Sequence, residues 1–139
     1  MPQSGDMYEV ALPLAAVAWG DDARMTDSRP RRDGEGYIPI PRNFARNHHI
    51  VNSNGVAGGD DELGQNLYEC ESEDGFLSGI LKAAGCCEEG DIYAKQFQGA
   101  GDLRLIGDWY RHLGVEAGDT IQVEFVSSTR VILKHIPAE

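Results

Sequence analysis

Arg24, Arg29, Arg31 and Arg32 crowd one stretch of this chain, and Lys95, Gln96, Gln98 and Arg104 occupy another. Every one of these side chains donates hydrogen bonds. An arginine fork addresses guanine with two parallel bonds, glutamine pairs with adenine, and arginine and lysine reach phosphate oxygens. The first stretch, 20–36, holds Gly20, Pro30, Gly34 and Gly36 and no apolar period, so it reads as a loop. It is longer than most connections inside a compact domain, and such loops usually carry function. The second, 95–104, leaves a strand pattern over 91–98 and passes through Gly99 and Gly101 to Arg104. Two donor-rich arms at one end of a rigid barrel would clamp a duplex.

Other chemistries find no support in the residues. His48 and His49 are neighbours that point to different sides of a helix, and no further histidine or cysteine stands at ligand spacing from them. Cys70, Cys86 and Cys87 are odd in number and two are adjacent, which fits neither a disulfide framework nor a paired zinc motif. They point to a reduced, cytoplasmic protein. A nuclease centre needs clustered carboxylates, often with a lysine. Lys82, Lys95 and Lys134 follow Ile80, Tyr93 and Ile132 two positions earlier, so the Glu-x-Lys element of many nuclease cores is absent. No phosphate-binding loop or nucleophile elbow occurs. The expectation is a protein with no catalytic centre, no metal and no cofactor.

Charge is unevenly spread. The net charge of −11 opposes nucleic acid as a partner, yet 20–46 carries Arg24, Arg29, Arg31, Arg32, Arg42 and Arg46 against five acids. Segment 57–92 carries ten acids against Lys82 alone. That segment is expected to form a solvated back face turned away from the arms. A salt-adapted host and simple solubility account equally well for the excess of acid.

The elements that must hold the arms are legible in outline. The chain of 139 residues is long enough for one domain with a real core, and no apolar run reaches membrane-spanning length. Abundant glycine and short, punctuated apolar runs favour an all-β barrel. Strands are expected at 8–19 (with Pro13 marking an edge), 37–40, 67–72, 76–84, 91–98, 121–126 and 130–136, with Asp74-Gly75 as a hairpin turn. Leu103 and Leu105 alternate with Arg104 as in a half-buried strand, after which Gly107-Asp108 opens a helix that Gly114 stops. Segment 37–50 aligns with 102–115 without gaps: Ile38 matches Leu103, Ile40 matches Leu105, Phe44 matches Trp109 and Ile50 matches Val115. Two copies of strand, turn and helix suggest a pseudo-twofold barrel with helices near 41–49 and 107–113.

Arg31-Arg32 leading into Gly36-Tyr37-Ile38-Pro39-Ile40-Pro41, with Gly107-Asp108-Trp109-Tyr110-Arg111-His112-Leu113-Gly114-Val115, resembles the DNA-recognition domains of certain restriction endonucleases. These are the B-three-like domains of the EcoRII and NgoFVII types, relatives of a plant transcription-factor domain. The resemblance spans roughly 8–136. It implies an all-β fold with two short helices, an open seven-stranded DNA-binding pseudobarrel forming a single domain over 1–139. It also implies a grip on the major groove of double-stranded DNA by an N-terminal arm, here 20–36, and a C-terminal arm, here 95–104. Such a domain would be the specificity module of a restriction endonuclease, monomeric itself, working beside a fused or separate nuclease domain. Two rivals fit parts of the chain: a swapped-hairpin regulator or antitoxin of the AbrB type, which 103–125 also resembles, and a protein-interaction barrel whose acidic segment holds a basic partner.

Overall fold

The computed structural model describes residues 3–13, 36–52, 63–64, 66–84, 93–101 and 104–137. In chain order these form β1 (Met7–Ala11), β2 (Ile38–Pro39), α1 (Arg42–Asn47), β3 (Leu67–Ser72), β4 (Ser78–Ala84), β5 (Gln96–Gly99), α2 (Leu105–Leu113), β6 (Thr120–Phe125) and β7 (Arg130–Ile136). The strands make one sheet in the order β1-β6-β7-β3-β4-β5-β2, curled into a nearly closed barrel. Every neighbour pair is antiparallel except β3 with β7, which is parallel.

Alternation along the strands fills the barrel. Tyr68 and Cys70 on β3, Ile121, Val123 and Phe125 on β6, and Val131 and Leu133 on β7 all point inward and are buried. Tyr68 sits at the centre, edge-on to Phe97 at 5.6 Å and to Phe125 at 5.5 Å between ring centroids. Burial pushes the Cys70 thiol up to about 12, so it stays protonated and behaves as a small apolar side chain.

β1 and β2 are the two edges of the sheet. The Ile40 N–H donates to the Lys95 carbonyl at 2.9 Å, so by the two-residue period the carbonyls of Tyr37 and Pro39 face away from β5. Proline suits that edge because it leaves no orphan N–H there. Both outward carbonyls are taken by buried tyrosines. Tyr8 on β1 donates its hydroxyl to Pro39 O at 2.9 Å, and Tyr110 on α2 donates to Tyr37 O at 2.7 Å. Burial holds both phenols well above the ordinary tyrosine value, and nearby Tyr8 and Tyr37 raise Tyr110 further, so both remain donors.

The internal repeat holds through its helical half. α1 and α2 both close by a bond from the N–H of a following residue to a carbonyl in the last turn: Ile50 to Ala45 and Val115 to Tyr110, each 2.9 Å. The residues before them, His49 (φ 54°) and Gly114 (φ 67°), occupy equivalent left-handed positions. Glycine takes that conformation freely, whereas histidine there costs about 1–2 kcal/mol. The strand half differs. Leu105, matched to Ile40, lies in the first turn of α2, and its side chain lies 3.1 Å from where a Cβ on Gly79 of β4 would sit. Leu103 lies outside the described residues, as do 14–19 of the expected first strand and 91–92 of the expected fifth, and in the described part of the latter the strand begins only at Gln96.

Candidate nucleic-acid interface

Lys95 is exposed at the entry to β5, where its N–H donates to Ala84 O at 2.9 Å. Along β5, Phe97 is fully buried, so Gln96 and Gln98 on either side face outward. Gln98 is thus on the strand, as expected, and the strand runs one residue further to Gly99. Its register partner on β4 is Lys82, which faces outward between buried Leu81 and Ala83. Sequence reasoning missed Lys82, although it is the lone cation of segment 57–92 and has the alternation of an outward strand position. Lys82, Gln96 and Gln98 therefore share one outer wall. Arg104 is exposed at the opposite end of β5 from Lys95, just ahead of α2, where its carbonyl accepts from Asp108 N at 2.7 Å. Arg24, Arg29, Arg31 and Arg32 lie outside the described residues, as do Cys86 and Cys87.

Of the first arm only Gly36 falls among the described residues, so the β2–β5 register bears on where the chain re-enters the barrel and not on the arm itself. β2 and β5 are antiparallel, with Ile38 opposite Phe97 and Pro39 opposite Gln96. Continuing that register sets Gly36, where the first arm re-enters, level with Gly99, and Lys95 begins the strand from the other end. Four residues of strand separate the two levels, about 13 Å at ~3.3 Å per residue. Gly36 therefore stands level with the Gly99 end of β5, and Lys95 marks the other end of that strand.

The acidic segment is more engaged than a plain solvated face. On the outer side of β3, Glu69 stands opposite Arg130 of β7, and Glu71 is two residues on. Arg130 reaches Glu71 at 3.1 Å and Glu69 at 3.8 Å, and Lys134 reaches Glu73 at 3.9 Å. Exposed pairs of this kind contribute about 0–1 kcal/mol each, but they blunt the local negative potential.

Asp74 has a different role. Its carboxylate accepts the Trp109 indole N–H, the Phe76 N–H and the Ser72 hydroxyl, each at 2.8 Å. Burial by itself would raise this carboxyl. The three donors, with His112 nearby, outweigh that and hold it below the ordinary aspartate value. Phe76 also stacks on His112 at 4.0 Å, so the β3–β4 turn is fastened to α2.

A clean test of the acidic wall must leave Asp74 in place. Replacing Glu69, Glu71 and Glu73 together by glutamine is expected to raise affinity for random duplex at low salt and leave target preference unchanged. At 0.15 M salt the gain should shrink, because screening acts over about 8 Å. Paired titrations of target and random duplex at two salt concentrations measure this, and lost preference in the variant would put the wall inside the recognition surface.

Among the described residues no three His, Cys, Asp or Glu side chains are grouped to hold a metal, and no helix is long and apolar enough to cross a membrane. No protein-family model matches the chain, and no curated protein matches it significantly. Among solved structures it is similar to the protein of the Arabidopsis FUS3–DNA complex, at 16% identity and a TM-score of 0.53, over 95% of this chain and 97% of that one. At that identity the likeness bears on the fold, and it agrees with the strand order and the two helices described above: this chain folds as a B-three-like pseudobarrel.

Proposed function

We propose that this chain is a sequence-specific recognition domain for double-stranded DNA, gripping the major groove with 20–36 and 95–104. The observation that carries the reading is the outer wall of β5, where Gln96 and Gln98 stand beside Lys82, with Lys95 at one end and Gly99, level with Gly36, about 13 Å away at the other. The major groove is about 12 Å wide, so a wall of this length fits across its floor, with the glutamines toward the bases. The fold it shares with the protein of a DNA complex supports the same reading. In this account Lys95, Arg104 and Lys82 meet phosphates, Gln96 and Gln98 meet base edges, and Arg24, Arg29, Arg31 and Arg32 supply the first arm.

The finer reading is a specificity module of a restriction endonuclease, cytoplasmic and without a catalytic centre, acting beside a nuclease domain. It rests on the sequence resemblance at 31–41 and 107–115. The AbrB-type reading accounts for 103–125 alone, whereas the described strands of the barrel run from Met7 to Ile136.

The deciding experiment is a gel shift with a random duplex pool at low salt, followed by selection and sequencing of the retained duplexes. One short recovered site is the expected result. A chain that retains no duplex, with its fold intact, would overturn the reading in favour of a protein-interaction barrel.

A further inference from the structure

The open edge of the barrel is sealed by side chains, and both of them land on β2. This strand has only two ladder residues, too few to hold its own position. Tyr110 fixes the carbonyl of Tyr37, next to the point where the first arm re-enters, and Tyr8 fixes that of Pro39. One residue on, Ile40 donates to the carbonyl of Lys95, where the second arm begins. α1 continues the link. Ala94 donates to Ile50 O at 3.0 Å, Val51 bridges to Tyr93, and the Arg46 guanidinium lies 6.0 Å from the Tyr93 ring centre. The short segment 36–51 therefore touches the roots of both arms.

We propose that Tyr8 and Tyr110 are positioning residues for DNA binding: by clasping the outer edge of β2 and the residue before it they set where the chain re-enters the barrel at Gly36 and, through Ile40, where Lys95 begins the second arm. The inference rests on the DNA reading above. Both rings are buried, so neither touches the duplex, and their influence passes through β2. Without the clasp Gly36 and Lys95 must be brought into register during binding rather than before it.

The test is the double variant Tyr8→Phe/Tyr110→Phe, with each single variant as a fallback should the double not fold. Amide exchange at Ile38 and Ile40 should accelerate while the circular dichroism spectrum is kept. Affinity for the selected duplex should fall about tenfold, the equivalent of reordering two or three arm side chains. Arg31→Ala/Arg32→Ala should cost less in the clasp-free background than in the wild type, since arms already displaced have less to lose. A core variant, Val131→Ala, controls for general destabilisation and should leave affinity unchanged. Wild-type affinity in the clasp variants, or strict additivity with the arginine changes, would overturn the inference alone. Failure of the wild type to bind any duplex would overturn the DNA reading and the inference with it.

Discussion

Trp109→Ala is expected to remove a large share of the stability of this protein. The side chain is fully buried in the middle of α2, and its indole N–H is a donor to Asp74. Truncating a buried tryptophan costs about 3–5 kcal/mol through lost contacts and the cavity left behind. Domains of this kind hold about 5–15 kcal/mol in total. Loss of the indole also frees the β3–β4 turn from the helix, leaving the Phe76–His112 stack to hold it. Urea unfolding should show a midpoint far below that of the wild type. Trp109→Phe separates the two effects, since it keeps most of the apolar volume and removes only the donor, at about 1–3 kcal/mol.

The acid limb of the stability curve gives the second readout for this pair. The folded Asp74 carboxyl titrates below its unfolded value of about 3.9, so its contribution is complete above that pH. It is lost as pH falls through the depressed folded value. In Trp109→Phe the folded value moves back toward the unfolded one, and the acid limb should become shallower. An unchanged limb would mean that the Ser72 and Phe76 donors alone set the titration.

Removing base-reading and phosphate-reading donors should produce two distinguishable signatures on DNA. Gln96→Ala and Gln98→Ala take away neutral groups from the outer wall of β5. Each is expected to lower discrimination at one base pair by about 1–3 kcal/mol, with the salt dependence unchanged. Arg31→Ala and Arg32→Ala take away cations. Where an arginine meets phosphate, its loss should weaken binding on every sequence and flatten the salt slope by about one unit. Titrating each variant against target and single-mismatch duplexes at several salt concentrations measures both quantities together. A glutamine variant that flattened the slope would show that the wall acts through the cations around it. Unchanged affinity in both arginine variants would remove 20–36 from the interface.

Sequence alone revealed the long elements to the residue where period and punctuation agreed. Leu67–Ser72 and Arg130–Ile136 match their expected bounds, and the helix stop at Gly114 follows from its left-handed backbone. The start of α2 was misread because three residues of alternation cannot outweigh a longer helical period. Leu105, Ile106, Trp109, Tyr110 and Leu113 recur as one helical face, and that period was the better guide. His49 went unnoticed as a left-handed residue because only its alignment with Gly114 betrays it. The site was legible as donor types, but its geometry depends on non-local pairing. Nothing near Glu69 announces Arg130, and nothing near Asp74 announces Trp109. The placement of Gly36 level with Gly99 comes from the β2–β5 register, which no local pattern encodes.

The parallel contact between β3 and β7 has a consequence for how the molecule is made. β6 and β7 stand between β1 and β3 in the sheet, so among the described strands β1 meets no partner until the β6–β7 hairpin exists. During synthesis β4 can pair with β3, and β5 with β4, as each emerges. β1 meanwhile must wait until Thr120–Phe125 has followed it. Closure is then a single late event in which one hairpin joins both waiting edges, and pairing at such sequence separation is slow. Over that interval β1 and the free side of β3 are open strand edges, the surfaces through which chains join one another. The nascent chain is therefore most vulnerable to its own copies in the moments before residues 120–136 emerge.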